Sequence, residues 1–406
     1  MATKYRLLAI ILPLLFVSVA CQHKVETEFN VGIKYTEVEG TRGTQWVTVQ
    51  ALSSQQWTLS LSDPSGAAVG WATLDPPSGS GSKSSVTVTW DENDTGDTRV
   101  LLITGVSGSQ TVTVILTQYP KSGSSGEGGS FPDKIVPDKV YKWMELPATD
   151  DPTLYFISHE STTKNGAGRN FSYYWDVNAM VARWVAYPLN KGCIASGSRT
   201  NAWSLDPKLP RNAQPVLYSG YRSSGTTGSS DGGTQWYDRG HQCPSADRLA
   251  YADNIQTFYG TNMTPQNSDL NSNIWAALET RVRDWSKVFD TLYVVTGCVV
   301  DGSTKFVYDN EGKKVTVPTG YYKVLLGYEK NHAHGITRQT GGYTGVAFYL
   351  DNNEYPDNDY MKHAVTIDEL EGRIGIDFYV NLPGAIGADN AGTVESTKDT
   401  YWWTGI

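Results

Sequence analysis

The stretch TNMTPQNSDLNSNIWAALETRVRDWSKVF, residues 261 to 289, has a polar first half and an amphipathic second half. Residues 269 to 272 suit a helix start, because short polar side chains accept hydrogen bonds from the free N–H groups of a first turn. Apolar residues then recur every three or four positions, at Ile274, Leu278, Val282, Trp285 and Phe289. The spacing predicts a helix that packs one face against a core.

Strand-like runs flank this helix on both sides. They are ARWVAYPL (182–189) before it, and TLYVVTGCVV (291–300), GYYKVLLGYE (320–329), GVAFYLD (345–351) and RIGIDFYV (373–380) after it. A helix among strands of this kind predicts an α+β domain, which we place at residues 133–406.

The first third of the chain has a different pattern. Residues 25–120 contain the short alternating runs WVTVQA, WTLSLS, SVTVTW, VLLITG and TVTVILTQ, separated by turn-rich pieces. This predicts an all-β Ig-like sandwich. Residues 121–132, which include KSGSSGEGGS, are rich in Gly and Ser and predict a flexible linker. The chain is therefore expected to be multidomain.

The N-terminus has the composition of an export signal. Lys4 and Arg6 precede the apolar run LLAIILPLLFVSVA, which ends at Ala20 and Cys21. Residues 1–21 are predicted to be a signal peptide, and the cysteine after small residues favours a lipoprotein with lipid on Cys21. An exported protein anchored in a membrane, periplasmic or at the cell surface, is expected; an ordinary signal peptide is the alternative.

Charge and cysteine content narrow the function classes. A net charge of −9 argues against a broad basic face, so contact with nucleic acid would depend on a local arginine cluster and a divalent cation.

Beyond Cys21 the chain has Cys193, Cys243 and Cys298. In an oxidising compartment, one disulfide and one buried thiol are expected, with the pairing open.

A second polar stretch, DRGHQCPSADR (238–248), lacks apolar periodicity and brings a histidine between two arginines. Asn262, Asn271 and Glu279 follow His241 in the chain. Phosphodiester hydrolysis requires a base, positive charge at the phosphate and neutralisation of the leaving oxygen. The carbonyl of Asn271 would suffice for a hydrated magnesium. On a regular helix Glu279 lies about 12 Å along and about 80° around from Asn271, so it would act through a metal water.

These two stretches resemble the DNA/RNA non-specific endonucleases of the ββα-metal (His-Me finger) group, and the resemblance extends over about residues 140 to 380. It implies a ββα-metal core and an endonuclease that cuts DNA and RNA with hydrated Mg²⁺, or Mn²⁺ as a substitute, leaving 5′-phosphates. It further implies the roles of five residues: His241 as general base, Asn271 as the direct metal ligand, Glu279 as holder of a metal water, Asn262 as a support of the histidine region, and Arg239 as a phosphate contact.

A further family arginine lies upstream of the DRGH motif. Arg199 in RTNAWSLDP is the best match, although Arg211 and Arg222 also lie upstream. Cys243 departs from the small apolar residue usual in the family, and a thiol so close to the base is open to modification or to pairing with Cys193. Asp238 is expected to tie the turn, and Asp247 and Arg248 are assigned structural roles.

The N-terminal region resembles the BACON modules, through Trp57, the turn GSGSKSSVTV, Arg99 and the run VTVILTQ. That resemblance implies binding of a glycan or mucin; a spacer that lifts the second domain off a membrane is the alternative. For the whole chain, one alternative is an inert nuclease-like domain in a glycan-binding surface lipoprotein, and another is an antibacterial effector. His332 and His334 are interpreted as a surface loop, and YWWTGI as an aromatic end strand. The oligomeric state is open.

Overall fold

The computed structural model describes residues 29–38, 40–95, 98–121, 131–148, 151–161, 168–194, 196–222, 237–331 and 340–398. The predicted signal peptide with Cys21, residues 122–130 of the predicted linker, the pair His332 and His334, and the tail YWWTGI lie outside these ranges.

The N-terminal sandwich, which we define as residues 29–121, consists of two sheets packed face to face. One sheet has the strand order β1-β3-β7-β5 and the other has the order β2-β9-β8-β4-β6. The strands are β1 (Asn30–Ile33), β2 (Glu37–Val38), β3 (Gly43–Gln50), β4 (Gln56–Ser62), β5 (Ala72–Asp75), β6 (Ser78–Ser80), β7 (Lys83–Trp90), β8 (Arg99–Ser107) and β9 (Gln110–Gln118). All five predicted runs are strands.

Along these strands, side chains alternate between the core of the sandwich and its outer surface. In β3, residues 45, 47 and 49 are buried while their neighbours face outward, as expected for a sheet with one covered face. The buried side chains include Val47, Trp57, Val86 and Leu101. The Trp57 indole N–H donates to the carbonyl of Gly81 at 2.8 Å, so its polar atom is satisfied inside the core.

A seven-stranded antiparallel sheet forms the centre of the second domain, in the order β10-β11-β12-β15-β18-β19-β20. Its strands are β10 (Tyr155–Glu160), β11 (Arg169–Asp176), β12 (Val181–Leu189), β15 (Thr291–Val299), β18 (Gly320–Tyr328), β19 (Tyr343–Asp351) and β20 (Ala364–Val365). Two small hairpins accompany it, β13 (Tyr237–His241) with β14 (Met263–Asn267), and β16 (Phe306–Tyr308) with β17 (Lys314–Thr316).

Helices cover both faces of this sheet. They are α1 (Pro137–Val140), α2 (Tyr251–Gln256), α3 (Ser268–Leu270), α4 (Ala276–Trp285), α5 (Ile367–Ile374), α6 (Leu382–Ile386) and α7 (Ala388–Ser396). The apolar stripe predicted on residues 274 to 289 packs on one face together with Tyr173 and Tyr187. Helices α5 and α7 cover the other face, where Tyr174 and Trp184 belong to the core. The α+β prediction is confirmed.

The hairpin β13–β14 leads directly into the helix, which gives a ββα unit. Asn267 caps the helix, since its side-chain oxygen accepts from the backbone N–H groups of Asp269 and Leu270 at 2.9 and 3.1 Å. The helix thus begins before the expected position, and Asn271 lies inside it. Residues Asn271–Trp275 form a π turn between α3 and α4.

One strand prediction is wrong. The run RIGIDFYV begins inside α5, which a capping box between Thr366 and Glu369 starts and which Gly375, with φ 73°, ends. The rest of the run joins no sheet. The backbone N–H of Phe378 donates to the carboxylate of Glu371, and the backbone N–H of Val380 donates to the carbonyl of Leu146. The alternating apolar residues of the run resemble a strand pattern, but within the described residues no strand pairs with it.

The expectation of a disulfide is also wrong. Cys193, Cys243 and Cys298 are all free and buried. Burial raises the pKa of the thiols of Cys243 and Cys298 to about 12. These two thiols remain protonated and covered, which argues against the modification expected for Cys243. Within the described ranges, no helix is long and apolar enough to cross a membrane.

Candidate active site

The hairpin β13–β14 places the DRGH motif at the edge of the helix. Its register pairs Asp238 with Gln266 and His241 with Met263. Gly240 is required by a close approach, since a Cβ at that position would lie 2.4 Å from the side-chain oxygen of Gln266. The glycine of the motif therefore allows the two strands to pack with Gln266 over the backbone of residue 240.

His241 ends the strand with one ring nitrogen lacking a partner. Among the described residues, its Nε2 is covered and makes no hydrogen bond. The ring contacts Phe258 edge-on at 5.0 Å between centroids, and Trp203 at 5.7 Å. Burial, followed by the positive charges of Arg199 and Arg239, holds the pKa of His241 well below its usual 6.5. The imidazole is therefore neutral at pH 7 and can accept a proton.

Arg239 is fixed by its surroundings. Its Nη1 donates to the backbone carbonyls of Leu217 and Tyr218 at 2.8 and 2.9 Å. Its guanidinium lies over the ring of Trp203, 3.5 Å from the centroid. A cation over an indole face contributes about 0.5 to 2 kcal/mol, so the ring of Trp203 helps to hold the guanidinium in place. Trp203 contacts both Arg239 and His241, and nothing in its sequence spacing pointed to this role.

Of the three upstream arginines, Arg199 is the one whose charge reaches His241. It is exposed, donates to the side chain of Asn201 at 2.7 Å, and lies over Phe258 at 4.8 Å. Arg211 pairs with Glu311, and Arg222 donates to the carbonyl of Asp309. Those pairings hold Arg211 and Arg222 in structural contacts.

Asn262 joins the segment after His241 to the hairpin. Its side-chain oxygen accepts from the N–H of Cys243 at 2.9 Å, and its amide donates to the carbonyls of Cys243 and Thr257 at 2.9 and 2.8 Å. The side chain is fully buried. Since both ends of the amide are used within the protein, Asn262 fixes backbone two residues from His241 and does not face a ligand.

Asn271 is oriented by Asp238. The carboxylate of Asp238 accepts from the amide Nδ2 of Asn271 and from the hydroxyl of Ser268, both at 2.9 Å. Only the nitrogen end of an amide can donate, so the carboxylate determines which end of Asn271 faces it. The carbonyl oxygen of Asn271 is left for another partner. Asp238 ties the strand to the helix, as its position in the motif suggested.

The π turn changes the expected angle between Asn271 and Glu279. A π turn takes up one extra residue, so the residues that follow it are turned back by about 100°. Glu279 therefore lies roughly 20° around the axis from Asn271, not about 80° as on a regular helix. Both residues share one face, about 10 to 12 Å apart along the axis. The geometry favours contact with a shared ligand through water.

Glu279 lies next to a group of buried charges that the sequence spacing did not reveal. Burial raises the pKa of Glu279 to about 7, with Asp247 adding to the shift and Lys323 and Arg283 opposing it. Lys323 projects from the central strand β18 and donates to Thr296 at 2.5 Å. Asp247 accepts from Tyr187 at 2.9 Å and from Arg283 at 3.2 Å. These charges join the helix to the sheet.

A second buried network anchors the loop that carries Arg199. Asp206, fully buried, accepts from the hydroxyls of Tyr173 and Thr261 and lies 2.7 Å from the Nε2 of His159. Burial raises the pKa of Asp206, but His159 and the hydroxyl donors outweigh burial, so that the net shift is downward. His159, which no motif marked, belongs to this anchor.

Among the described residues, no cluster of three or more His, Cys, Asp or Glu side chains could hold a metal. A cation held by a carboxylate cage would need such a cluster. Mg²⁺ retains most of its waters and needs one or two protein oxygens, which the oriented carbonyl of Asn271 matches. The residues present therefore fit a hydrated divalent cation.

Comparison with known proteins agrees with this geometry. The family model of the DNA/RNA non-specific endonuclease matches residues 156–385, more than half of the chain. The chain belongs to this family. As a member of the DNA/RNA non-specific endonucleases, it is a hydrolase of nucleic acids. The BACON model, described as an N-terminal binding domain, matches residues 61–118.

Relatives of this endonuclease cover most of its second domain. A nuclease of Nostoc sp. is 30% identical over 293 residues, covering 70% of this chain and 90% of its own. A nuclease of Serratia marcescens is 29% identical over 246 residues, covering 60% and 81%. A chain in the crystal structure of an EndoG/EndoGI complex covers 55% of this endonuclease and 86% of its own length, with 21% identity and a TM-score of 0.41.

Proposed function

We propose that the protein is a magnesium-dependent, sugar-non-specific endonuclease that hydrolyses phosphodiester bonds in DNA and RNA and leaves 5′-phosphate ends. The observation that carries this proposal is the unpartnered Nε2 of His241, covered and adjacent to two arginines. The names of the relatives describe nucleases, which agrees with it.

His241 acts as the general base. Its lowered pKa keeps the ring neutral, so Nε2 accepts a proton from a water molecule as that water attacks phosphorus. Asn262 holds the backbone that follows the histidine, and thereby the position of the ring. Among the described residues Nε2 has no hydrogen-bond partner, so its lone pair is not used by another protein group.

The arginines bind and stabilise the phosphate. Arg239 is held by two carbonyls and an indole, so it is already in place before substrate binds. Arg199 is exposed, and it packs with His241 against the ring of Phe258. Positive groups that are already oriented stabilise the additional charge of the transition state without reorganisation.

Asn271 would hold the divalent cation directly through its carbonyl oxygen, and Glu279 through water. When bound, Mg²⁺ or the substitute Mn²⁺ neutralises charge on the leaving oxygen. Asp238 fixes the amide of Asn271, and the π turn brings Glu279 to the same face.

The test is cleavage of supercoiled plasmid and of a structured RNA by the full chain, with Mg²⁺ and with EDTA. We expect cleavage of both substrates with Mg²⁺ only, and loss of cleavage in His241→Ala. His363→Ala, which changes a histidine outside the site, serves as the matched control. Polynucleotide kinase should label the products only after phosphatase treatment if the 5′ ends carry phosphate. A folded wild-type chain that cuts neither substrate would contradict this proposal and favour the alternative of an inert nuclease-like domain.

We also propose that the N-terminal sandwich binds glycans. Trp46 is 69% exposed on the outer face of β3, where its ring is accessible to a sugar. An exposed aromatic ring offers an apolar face with a large contact area. Mucin retention on a column should fall in Trp46→Ala and not in Thr48→Ala, which changes a neighbouring exposed position. Equal retention of both variants would contradict this proposal.

The export signal leads to a further proposal, that the chain is a membrane-anchored lipoprotein with lipid on Cys21. Labelled fatty acid should be incorporated into the wild-type chain and not into Cys21→Ser. Incorporation into both proteins, or into neither, would contradict it.

A further inference from the structure

The N-terminal sandwich contacts the second domain beside the proposed active site. Tyr119, directly after β9, is buried, and its ring stacks on that of Tyr218 at 5.2 Å with 28° between the planes. It shares one apolar cluster with Trp203, Leu217, Phe258 and Met263. This cluster contains residues of both domains, so the N-terminal sandwich is packed against the domain that follows it.

A second contact reaches the same site. The hydroxyl of Thr98, in the sandwich, donates to the backbone carbonyl of Trp203 at 2.6 Å. Two separate parts of the sandwich, at Thr98 before β8 and at Tyr119 after β9, thus contact the second domain.

Both contacts end on groups that hold Arg239. The carbonyls of Leu217 and Tyr218 accept from its guanidinium, and the indole of Trp203 lies under it at 3.5 Å. The ring of Tyr119 stacks on that of Tyr218, and the hydroxyl of Thr98 donates to the backbone carbonyl of Trp203. Two of the residues that hold Arg239, Tyr218 and Trp203, are therefore in direct contact with the sandwich.

We propose that the N-terminal sandwich is a positioning surface of the nuclease site, in which Tyr119 and Thr98 hold the segments that orient Arg239. Tyr119 and Thr98 are positioning residues, since neither reaches His241 or Asn271. This inference rests on the proposed function of Arg239. It assigns the sandwich a role in cleavage itself, in addition to binding or spacing.

The test compares matched variants of the full chain on a defined duplex with Mg²⁺. Tyr119→Ala and Thr98→Val should lower kcat about 10- to 100-fold, because small displacements of a catalytic group have effects of this size. KM should change little. Tyr119→Phe keeps the stacked ring and should restore kcat. Tyr35→Ala and Thr48→Val make the same chemical changes at exposed positions of the sandwich and should behave as wild type.

A double-mutant cycle separates positioning from general destabilisation. If Tyr119 acts through Arg239, then Tyr119→Ala should lower kcat no further in an Arg239→Ala background, whereas an independent effect would be additive. If Tyr119→Ala does not fold, Thr98→Val in both backgrounds provides the same comparison, since it removes a single hydrogen-bond donor.

Two outcomes would overturn the inference. One is a wild-type kcat in folded Tyr119→Ala and Thr98→Val. The other is that these substitutions lower kcat by the same factor in the wild-type and Arg239→Ala backgrounds. Either would leave the endonuclease itself intact. Failure of the proposed function would instead show as wild-type protein without cleavage, or as His241→Ala with full activity, so the two failures are distinguishable.

Discussion

The amide of Asn271 is oriented by one neighbour. Its nitrogen donates to the carboxylate of Asp238 at 2.9 Å, so the proposed cation would meet its oxygen. A carboxylate at position 271 would be the stronger ligand in isolation. Next to Asp238, however, it would bring two negative groups into contact with no proton between them, and each would repel the other.

We therefore expect Asn271→Asp to lower the cleavage rate about 10- to 100-fold, the usual effect of disturbing a group that orients a metal ligand. The measurement is the rate of plasmid nicking as a function of Mg²⁺ concentration. Asn273→Asp adds the same charge at an exposed position of the same helix and should have little effect. The swapped pair Asp238→Asn with Asn271→Asp should recover part of the rate; an unimpaired single variant would refute the argument.

The arginines beside His241 predict a shift in pH dependence. Their charges lower its pKa, so the neutral base persists below pH 6.5 and is lost as the pH falls through the lowered value. Arg199→Ala removes one of these charges. The pKa of His241 should rise, and the acidic limb of kcat/KM should move to higher pH, with a loss in rate on the order of 100-fold. Arg373→Ala, which removes an exposed arginine elsewhere, should leave the limb unchanged. If the acidic limb of kcat/KM does not move in Arg199→Ala, the charge of Arg199 does not lower the pKa of the base.

At the residue scale, the sequence indicates which polar residues form the site, but not which side chains pack against them. The order of His241, Asn262, Asn271 and Glu279 is visible in the chain because hairpin and helix are consecutive. Trp203 comes from a distant loop and is brought to His241 by tertiary packing alone. No local spacing encodes that contact.

Among the elements, the π turn shows how one local irregularity places a side chain. An apolar stripe at three- and four-residue spacing predicts the helix correctly, since one extra residue near its start hardly changes the pattern. The rotation of Glu279 relative to Asn271 nevertheless depends on it. The run RIGIDFYV shows the reverse error, because alternation predicts a strand only where another strand is available to pair with it.

The Asp206 network holds the loop of Arg199 against the sheet, and it should be costly to break. Asp206→Asn removes the charge that accepts from three side chains, so we expect it to destabilise the fold by about 3 to 5 kcal/mol. The folded pKa of Asp206 is lowered, so its contribution is fully present above about pH 4 and declines as the pH falls through the lowered value. Urea unfolding of wild type and variant should converge in acid.

Asp389→Asn changes an exposed aspartate at the start of α7 and serves as the control for Asp206→Asn. It should unfold as wild type does at every pH. A difference between wild type and Asp206→Asn that stays constant down to strongly acidic pH would show that the charge of Asp206 does not contribute.

For the whole molecule, the composition shift near residue 121 marks the change of domain but gives no information on docking. Tyr119 directly follows the predicted strand TVTVILTQ, and its stack on Tyr218 depends on the tertiary arrangement of both domains. Sequence therefore predicted two domains and their classes, and it did not predict that they share a buried cluster.

The three buried thiols give a prediction for the whole fold. We expect the melting temperature to be the same with and without reductant, because no bond between these cysteines contributes to stability. Iodoacetamide should label Cys193, Cys243 and Cys298 only after denaturation, in a Cys21→Ser background. A peptide pair that is linked in a non-reduced digest would contradict this.

Chains that require disulfide exchange depend on an oxidising environment and on the enzymes that rearrange wrong pairs. The three cysteines of this second domain impose no such requirement. Folding of this domain is thus independent of an oxidant, and chain made in a reducing compartment should have the same shape as chain made in an oxidising one.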